Sequence, residues 1–314
     1  MAARDVAASD VVLDEGAAVK PFVLAHLSDP HLSPLPSTHW RELLGKRATG
    51  WLNWRRRRKL IHRSEVLARV VADLRANAPD HIAVTGDLIN ISLAGEYAPA
   101  RVWLESLGSP ADVSLVPGNH DAYVRGAARH CYGQWGDYMR GDESREVEFP
   151  YLRRRGPLAL IGLSSAVPTA PFMATGGLGE AQLTRLAGLL DSCGRERLFR
   201  AVLIHHPPVS KPRRHFKRLI DGARFRAVLA RHGAELVLHG HDHVHSLVYL
   251  KGPRRPIPAL GAPSASQVAH KAHGPGGYNL CRIAGEAPSW RCEIVTRDLA
   301  ADGGTMTERK ICLS

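Results

Sequence analysis

A chain of 314 residues, 44% apolar and with net charge +12, can bury a substantial core, as one large layered α/β domain or as two small domains. No stretch reaches the roughly 18 uncharged apolar residues of a membrane span, and the acidic opening (Asp5, Asp10, Asp14, Glu15) lacks a basic-then-apolar leader, so cytoplasmic residence is expected. Five cysteines, an odd number without metal-type spacing, read as reduced thiols and argue against both a disulfide framework and a thiolate zinc site.

In chain order, residues 1–20 read as a lead-in rich in Ala and Asp, and residues 21–28 as the first buried strand. A Trp- and Arg-rich stretch at about 38–62 precedes a helix over 64–74, where apolar positions recur at helical spacing. Strands are expected at 81–85, 113–116, 158–163, 200–204 and 235–238, with helices over 96–107, 180–190 and 223–231 between them. From residue 246 the pattern turns to short strands punctuated by Pro and Gly, at 246–250, 257–260, 278–283 and 290–296. Alternating α/β units followed by a strand-rich region predict a mixed sheet covered by helices, with a second sheet. One domain over 21–300 and a C-terminal tail over 301–314 follow.

Positive charge is clustered at Arg55 to Lys59, Arg153 to Arg155, Lys211 to Arg218 and Arg254-Arg255. Such fields attract phosphorylated substrates, acidic lipid or nucleic acid, and the plainer reading of each cluster is a solvated face. No nucleic-acid recognition motif is present, so nucleic acid is not an expected partner.

The chemistry lies in five short blocks, each just after an apolar run: Asp29-Pro30-His31, Gly86-Asp87, Gly118-Asn119-His120-Asp121, His205-His206-Pro207-Pro208 and Gly240-His241-Asp242-His243. In open α/β sheets, ligands gather beyond the carboxyl ends of the strands, where these blocks fall. Asp29 and His31 offer two donors from one turn, and the Asp87 carboxylate can bridge two ions. Asn119 offers an amide oxygen, and His205, His241 and His243 offer imidazoles. Mixed N/O coordination without thiolate suits Mn, Fe or Zn. Two such ions about 3.5–4 Å apart acidify a bridging water and grip phosphate oxygens, which is the machinery of phosphoryl transfer. His120 is free to face the substrate, stabilising the transition state or protonating the leaving oxygen, with Asp121 orienting it. Asn90 and His206 are the remaining substrate-facing candidates; a turn cap for Asn90 and a supporting contact for His206 are their plainer readings.

Taken in order, the blocks resemble the calcineurin-like metallophosphoesterase superfamily over roughly residues 21–300. The resemblance implies Asp29, His31 and His243 on one ion, Asn119, His205 and His241 on the other, and Asp87 on both. It implies a four-layer α/β/β/α sandwich, two mixed sheets flanked by helices. The intact Gly-Asn-His-Asp and His-His-Pro-Pro blocks are most similar to the small bacterial phosphodiesterase branch. Hydrolysis of a small phosphorylated substrate, of cyclic nucleotide or glycerophosphodiester type, is the implied activity. A non-catalytic scaffold is the reading outside catalysis, and the complete ligand set argues against it.

The chain departs from compact members of that family at 38–62, where three of its six tryptophans (Trp40, Trp51, Trp54) sit beside its densest positive run. Three readings stay open. Residues 40–59 dock on an anionic membrane surface, which would suit a lipid-linked pyrophosphate such as a UDP-diacylglucosamine. Or they form a lid that stacks on a base and grips phosphate. Or they form a helical hairpin with core tryptophans and solvated arginines. Gly45 and Gly50 interrupt any long amphipathic helix and weaken the first reading.

Overall fold

The computed structural model describes residues 20–210, 212–270, 273–300 and 302–313. The first three strands, β1 (Phe22–Leu27), β2 (His81–Val84) and β3 (Val113–Leu115), pair in parallel. Then come β4 (Tyr151–Arg155), β5 (Leu158–Gly162), β6 (Phe199–Leu203), β7 (Leu236–His239), β8 (Ser246–Leu250) and β9 (Ile257–Gly261), which form a sheet of order β4-β5-β6-β7-β9-β8. The last three, β10 (Gly277–Ala284), β11 (Arg291–Leu299) and β12 (Met306–Leu313), return antiparallel to the first group and complete the other sheet, β12-β11-β10-β1-β2-β3.

Period-two patterning sets the layers. In β6, Ala201 and Leu203 face the core shared with β1 and β10, while Val202 and the following Ile204 face a second core. β7 divides in the same way, with Leu236 and Leu238 inward and Val237 outward. Helices close the outer faces. The insertion contributes α1 (Lys46–Asn53), a π-helical turn over Trp54–Arg58 and a last turn α2 (Lys59–Ile61). After it come α3 (Ser64–Ala76), α4 (Ala94–Leu107), α5 (Ala127–Trp135), α6 (Glu180–Arg195) and α7 (Gly222–His232). Val66, Leu67, Val70, Val71 and Leu74 form one buried stripe of α3 on the first sheet. Leu183, Leu186 and Leu190 of α6, with Phe225 and Leu229 of α7, cover the second. The result is the four-layer sandwich of two mixed sheets.

Three elements depart from the expectations. The Arg153 to Arg155 run lies in β4, and Arg153 is buried, donating to the carbonyls of Pro110, Val113, Asp137 and Arg140 at 2.6–2.7 Å. It ties together two stretches, 110–113 and 137–140, whereas Arg154 and Arg155 meet Glu196 and Asp142. α5 has no counterpart in the expected elements. The expected C-terminal tail instead enters the sheet as β12, whose Glu308, Arg309 and Lys310 suit a strand with one open edge. The lead-in lies outside the described residues apart from Lys20. Among the described residues no helix is long and apolar enough to cross a membrane.

Candidate metal centre

All five blocks follow the carboxyl ends of parallel strands, β1, β2 and β3 in one sheet and β6 and β7 in the other, so both sheets deliver side chains to one point. The loops are stitched to each other: the Asp29 N–H donates to the Gly86 carbonyl (3.0 Å), the His31 N–H to the Asp87 carbonyl (3.1 Å) and the Gly240 N–H to the His205 carbonyl (3.1 Å).

Four of the candidate ligands, Asp29, Asp87, His31 and His205, have one side-chain atom fixed by protein and another aimed at the centre. Asp29 Oδ2 accepts from the Ser28 hydroxyl (2.6 Å) and the His241 N–H (2.9 Å), which leaves Oδ1 buried without a hydrogen-bond partner, 3.2 Å from His243 Nε2. Asp87 Oδ1 accepts from the His120 N–H (2.7 Å), and Oδ2 stands 3.4 Å from His205 Nε2 and 3.8 Å from His31 Nε2. His31 Nδ1–H donates to the Ile89 carbonyl (3.1 Å) and His205 Nδ1–H to the Thr85 carbonyl (2.7 Å). Those bonds fix the tautomers and turn both Nε2 lone pairs inward. His31 Nε2 then faces His243 Nε2 at 3.3 Å, while His205 Nε2 faces Asn119 Oδ1 and His241 Nδ1, each at 3.2 Å. Ring nitrogens and side-chain oxygens crowded at these distances suit a cation between them, and the donor set fits transition metals. Groups able to hold an ion recur here, including Asp29 with Asp87 and His205.

The backbone is bent to this purpose. Of the nine non-glycine residues at positive φ among those described, Asp29, His31, Asp87, His241 and His243 are candidate ligands. Such conformations persist at sites where the surroundings over-determine them. Gly240 is required for a different reason: a Cβ there would overlap the Ser28 hydroxyl and the Asp29 carboxylate.

The electrostatics call for positive charge at the same point. Burial drives His31 and His241 well below the ordinary histidine value. For His205, burial would do the same, but the Asp87 carboxylate outweighs it and raises His205 to about 10.

His120 also reaches the site, edge-on to His31 with ring centroids 5.0 Å apart. Its Nδ1–H donates to the Asn90 carbonyl, and burial followed by the Arg58 charge lowers it to about 3. Asp121 does not orient the ring. Its carboxylate accepts from the backbone N–H groups of Asp87, Leu88, Ile89 and Gly118 at 2.8–3.3 Å, so it holds the Asp87 loop in shape. Burial, then the Asp87 charge, pushes Asp121 up to about 7, against those donors, which favour the carboxylate. Asn90 and His206 line no part of the cavity over the ligands. The Asn90 amide donates to the Leu32 carbonyl (2.8 Å), and the two His206 nitrogens meet the Ser165 hydroxyl (2.8 Å) and the Ala174 carbonyl (3.2 Å). Both are supporting contacts.

That cavity, about 350 Å³, has a wall that sequence reasoning reached only as a region. The insertion lines it with Lys46, Asn53, Arg57, Arg58, Ile61 and His62. His62 is buried, bonded through Nδ1 to the Ser266 hydroxyl (2.9 Å), and its ring lies 4.6 Å from that of His31. Lys46 Nζ donates to Thr169 Oγ1 (2.6 Å) and the Met173 carbonyl (3.1 Å) and sits 4.3 Å from the centroid of the Tyr123 ring. Nothing in the sequence distinguishes Arg58 from the three arginines before it. Trp51 packs on Ile91, Leu93 and Tyr123, whereas Trp40 is 64% exposed, so the tryptophans are divided between core and surface.

Fold and candidate ligands together fit a metal-dependent hydrolase. Residues 22–245 match the family model of the calcineurin-like phosphoesterases, and the chain belongs to that family of metal-dependent phosphoric ester hydrolases. A probable cyclic nucleotide phosphodiesterase of Synechococcus sp. is 28% identical over 230 residues, covering 72% of this chain and 80% of that protein. Among solved structures, a dimetal phosphatase from Danio rerio superposes with TM-score 0.60 at 13% identity, covering 94% of this chain and all of that one. Purple acid phosphatase PPD1 from yellow lupin gives TM-score 0.59 at 11% identity, covering 92% of this chain and 53% of that one. These two likenesses concern the fold.

Proposed function

We propose that this chain hydrolyses a phosphodiester bond of a small substrate, of cyclic nucleotide or glycerophosphodiester type. Asp29, His31 and His243 would hold one ion of Mn, Fe or Zn, Asn119, His205 and His241 a second, and Asp87 both. The observation that carries the reading is the pairing of inward-turned ligands with a cavity of about 350 Å³ above them. That volume is near the small end of ligand sites and suits a small ester better than a polymer. The name of the Synechococcus relative supports the cyclic nucleotide class. When bound, the ions supply acidified water and a Lewis-acid grip on phosphate oxygens. The chain's own residues do the rest: Asn90 orients the His120 ring through its carbonyl, His120 faces the leaving oxygen, and Lys46 and Arg58 add positive charge to the wall.

The test is turnover by metal-loaded protein on cyclic nucleotides, glycerophosphodiesters, p-nitrophenyl phosphate and a UDP-diacylglucosamine, the last with and without anionic liposomes. Preference for the small diesters supports the proposal. Preference for the monoester or the lipid-linked pyrophosphate would replace it.

A further inference from the structure

The insertion presents a half-buried positive charge, Arg58, for which the protein provides no partner of opposite sign. Four arginines follow one another in the π-helical turn, and Arg55 and Arg56 point to solvent. Arg58 turns inward over the ligand cluster and lines the cavity. Its guanidinium meets the His120 ring, at 2.9 Å from Nε2 and 3.2 Å from Nδ1. Because Nδ1–H is already given to the Asn90 carbonyl, Nε2 is the nitrogen that accepts from Arg58. The partner is therefore a neutral imidazole. Among the described residues, no carboxylate lies within ion-pair distance of Arg58. Asp87 is the strongest negative influence on it, and that carboxylate is aimed at the metal positions.

A cation drawn partly out of water without a counter-charge is costly, and a cavity wall is a place where a ligand can supply the anion. A guanidinium suits a phosphate group in particular, since its fork of N–H donors matches two oxygens at once. On this basis, and resting on the phosphoesterase reading above, we infer that Arg58 is a direct ligand of the substrate phosphate, which makes the insertion an anion clamp over the metal centre. A phosphate oxygen is a stronger acceptor than a neutral ring nitrogen, so the guanidinium leaves His120 when substrate enters. That movement frees Nε2 to face the leaving oxygen.

The clamp is pre-organised. The Arg58 carbonyl accepts from the His62 N–H at 2.8 Å. Arg47 donates through Nε to the Ile91 carbonyl at 3.2 Å and through Nη2 to the Ser92 carbonyl. Lys46 fastens the far end of the helical run to the loop at 163–178. Little ordering is left for the substrate to impose.

The experiment uses full-length, metal-loaded wild type beside Arg58→Ala, Arg58→Gln and Arg58→Lys, with metal content measured for each. Inorganic phosphate binding is read by calorimetry, and KM and kcat on bis-p-nitrophenyl phosphate are read with and without added methylguanidinium. Arg58→Ala is expected to keep its metals, to bind phosphate about 10–100-fold more weakly and to raise KM. Methylguanidinium should restore part of the loss, and Arg58→Lys should fall between. If Arg58→Ala does not fold, Arg58→Gln is the neutral polar variant that keeps most of the aliphatic stem and answers the same question. Phosphate affinity within twofold of wild type, with kcat alone reduced, would overturn the inference and leave Arg58 as a positioning residue for His120. Failure of wild type to hydrolyse any phosphate ester would instead defeat the phosphoesterase reading, while phosphate binding still reports on Arg58.

Discussion

Asp29 and Asp87 show the same design at the scale of one side chain: one carboxylate oxygen is tied to backbone or hydroxyl donors, and the other faces the candidate ligand histidines. Asp87 stands between both ligand groups, so Asp87→Ala is expected to empty or scramble both sites. His120→Ala should keep both ions, because His120 donates its backbone N–H to Asp87 and not its ring. Its turnover should fall by roughly 10²–10⁴-fold, the range of a lost acid–base group. Elemental analysis beside steady-state kinetics separates the two variants, and equal metal loss would show that His120 is misassigned. Gly240→Ala offers a third check. The new methyl group would displace Asp29, so one ion should be lost although no ligand has changed.

Elements differ in how far the sequence reveals them. The strands carrying the ligand blocks are legible because each is an apolar run ending at polar residues, and the order of the blocks fixes which strand ends must meet. β4 and β12 are not, since a strand with charged residues lacks the apolar signal, and burial of Arg153 depends on carbonyls contributed by distant loops. The insertion is legible as a region and opaque in detail. Consecutive arginines on a helical turn point in different directions, and only the tertiary placement of the turn selects Arg58. Trp51 makes the structural part of the insertion testable. Its packing on Ile91, Leu93 and Tyr123 implies that Trp51→Ala costs about 1–3 kcal/mol in denaturant unfolding, whereas Trp40→Ala costs under about 0.5. Equal effects would place both indoles in the same environment.

Across the whole molecule, one ion-pair chain joins the first half to the last strands. Arg297 of β11 meets Asp73 of α3 at 2.6 Å and Glu308 of β12 at 2.8 Å. Burial would raise the Asp73 carboxyl, but hydrogen bonds from Arg297 and Tyr278 outweigh it and hold the group below its ordinary value. A folded-state value below the unfolded one, near 3.9, means that the contact stabilises in full above that pH and fades as pH falls through the folded value. Wild type should therefore exceed Asp73→Asn by about 1–2 kcal/mol at pH 7, allowing for partial exposure, with the gap closing in acid below about pH 4. A gap independent of pH would show that the charge on Asp73 does not stabilise the fold. The net charge of +12 acts at the same scale, and kcat/KM for an anionic ester should fall as salt screens it. Every reading of the site depends on seven side chains from two sheets holding a pair of ions. Elemental analysis of the chain after loading with Mn²⁺ or Zn²⁺ tests this most directly. About two ions per chain are predicted, and a stoichiometry that stays near zero would contradict the account.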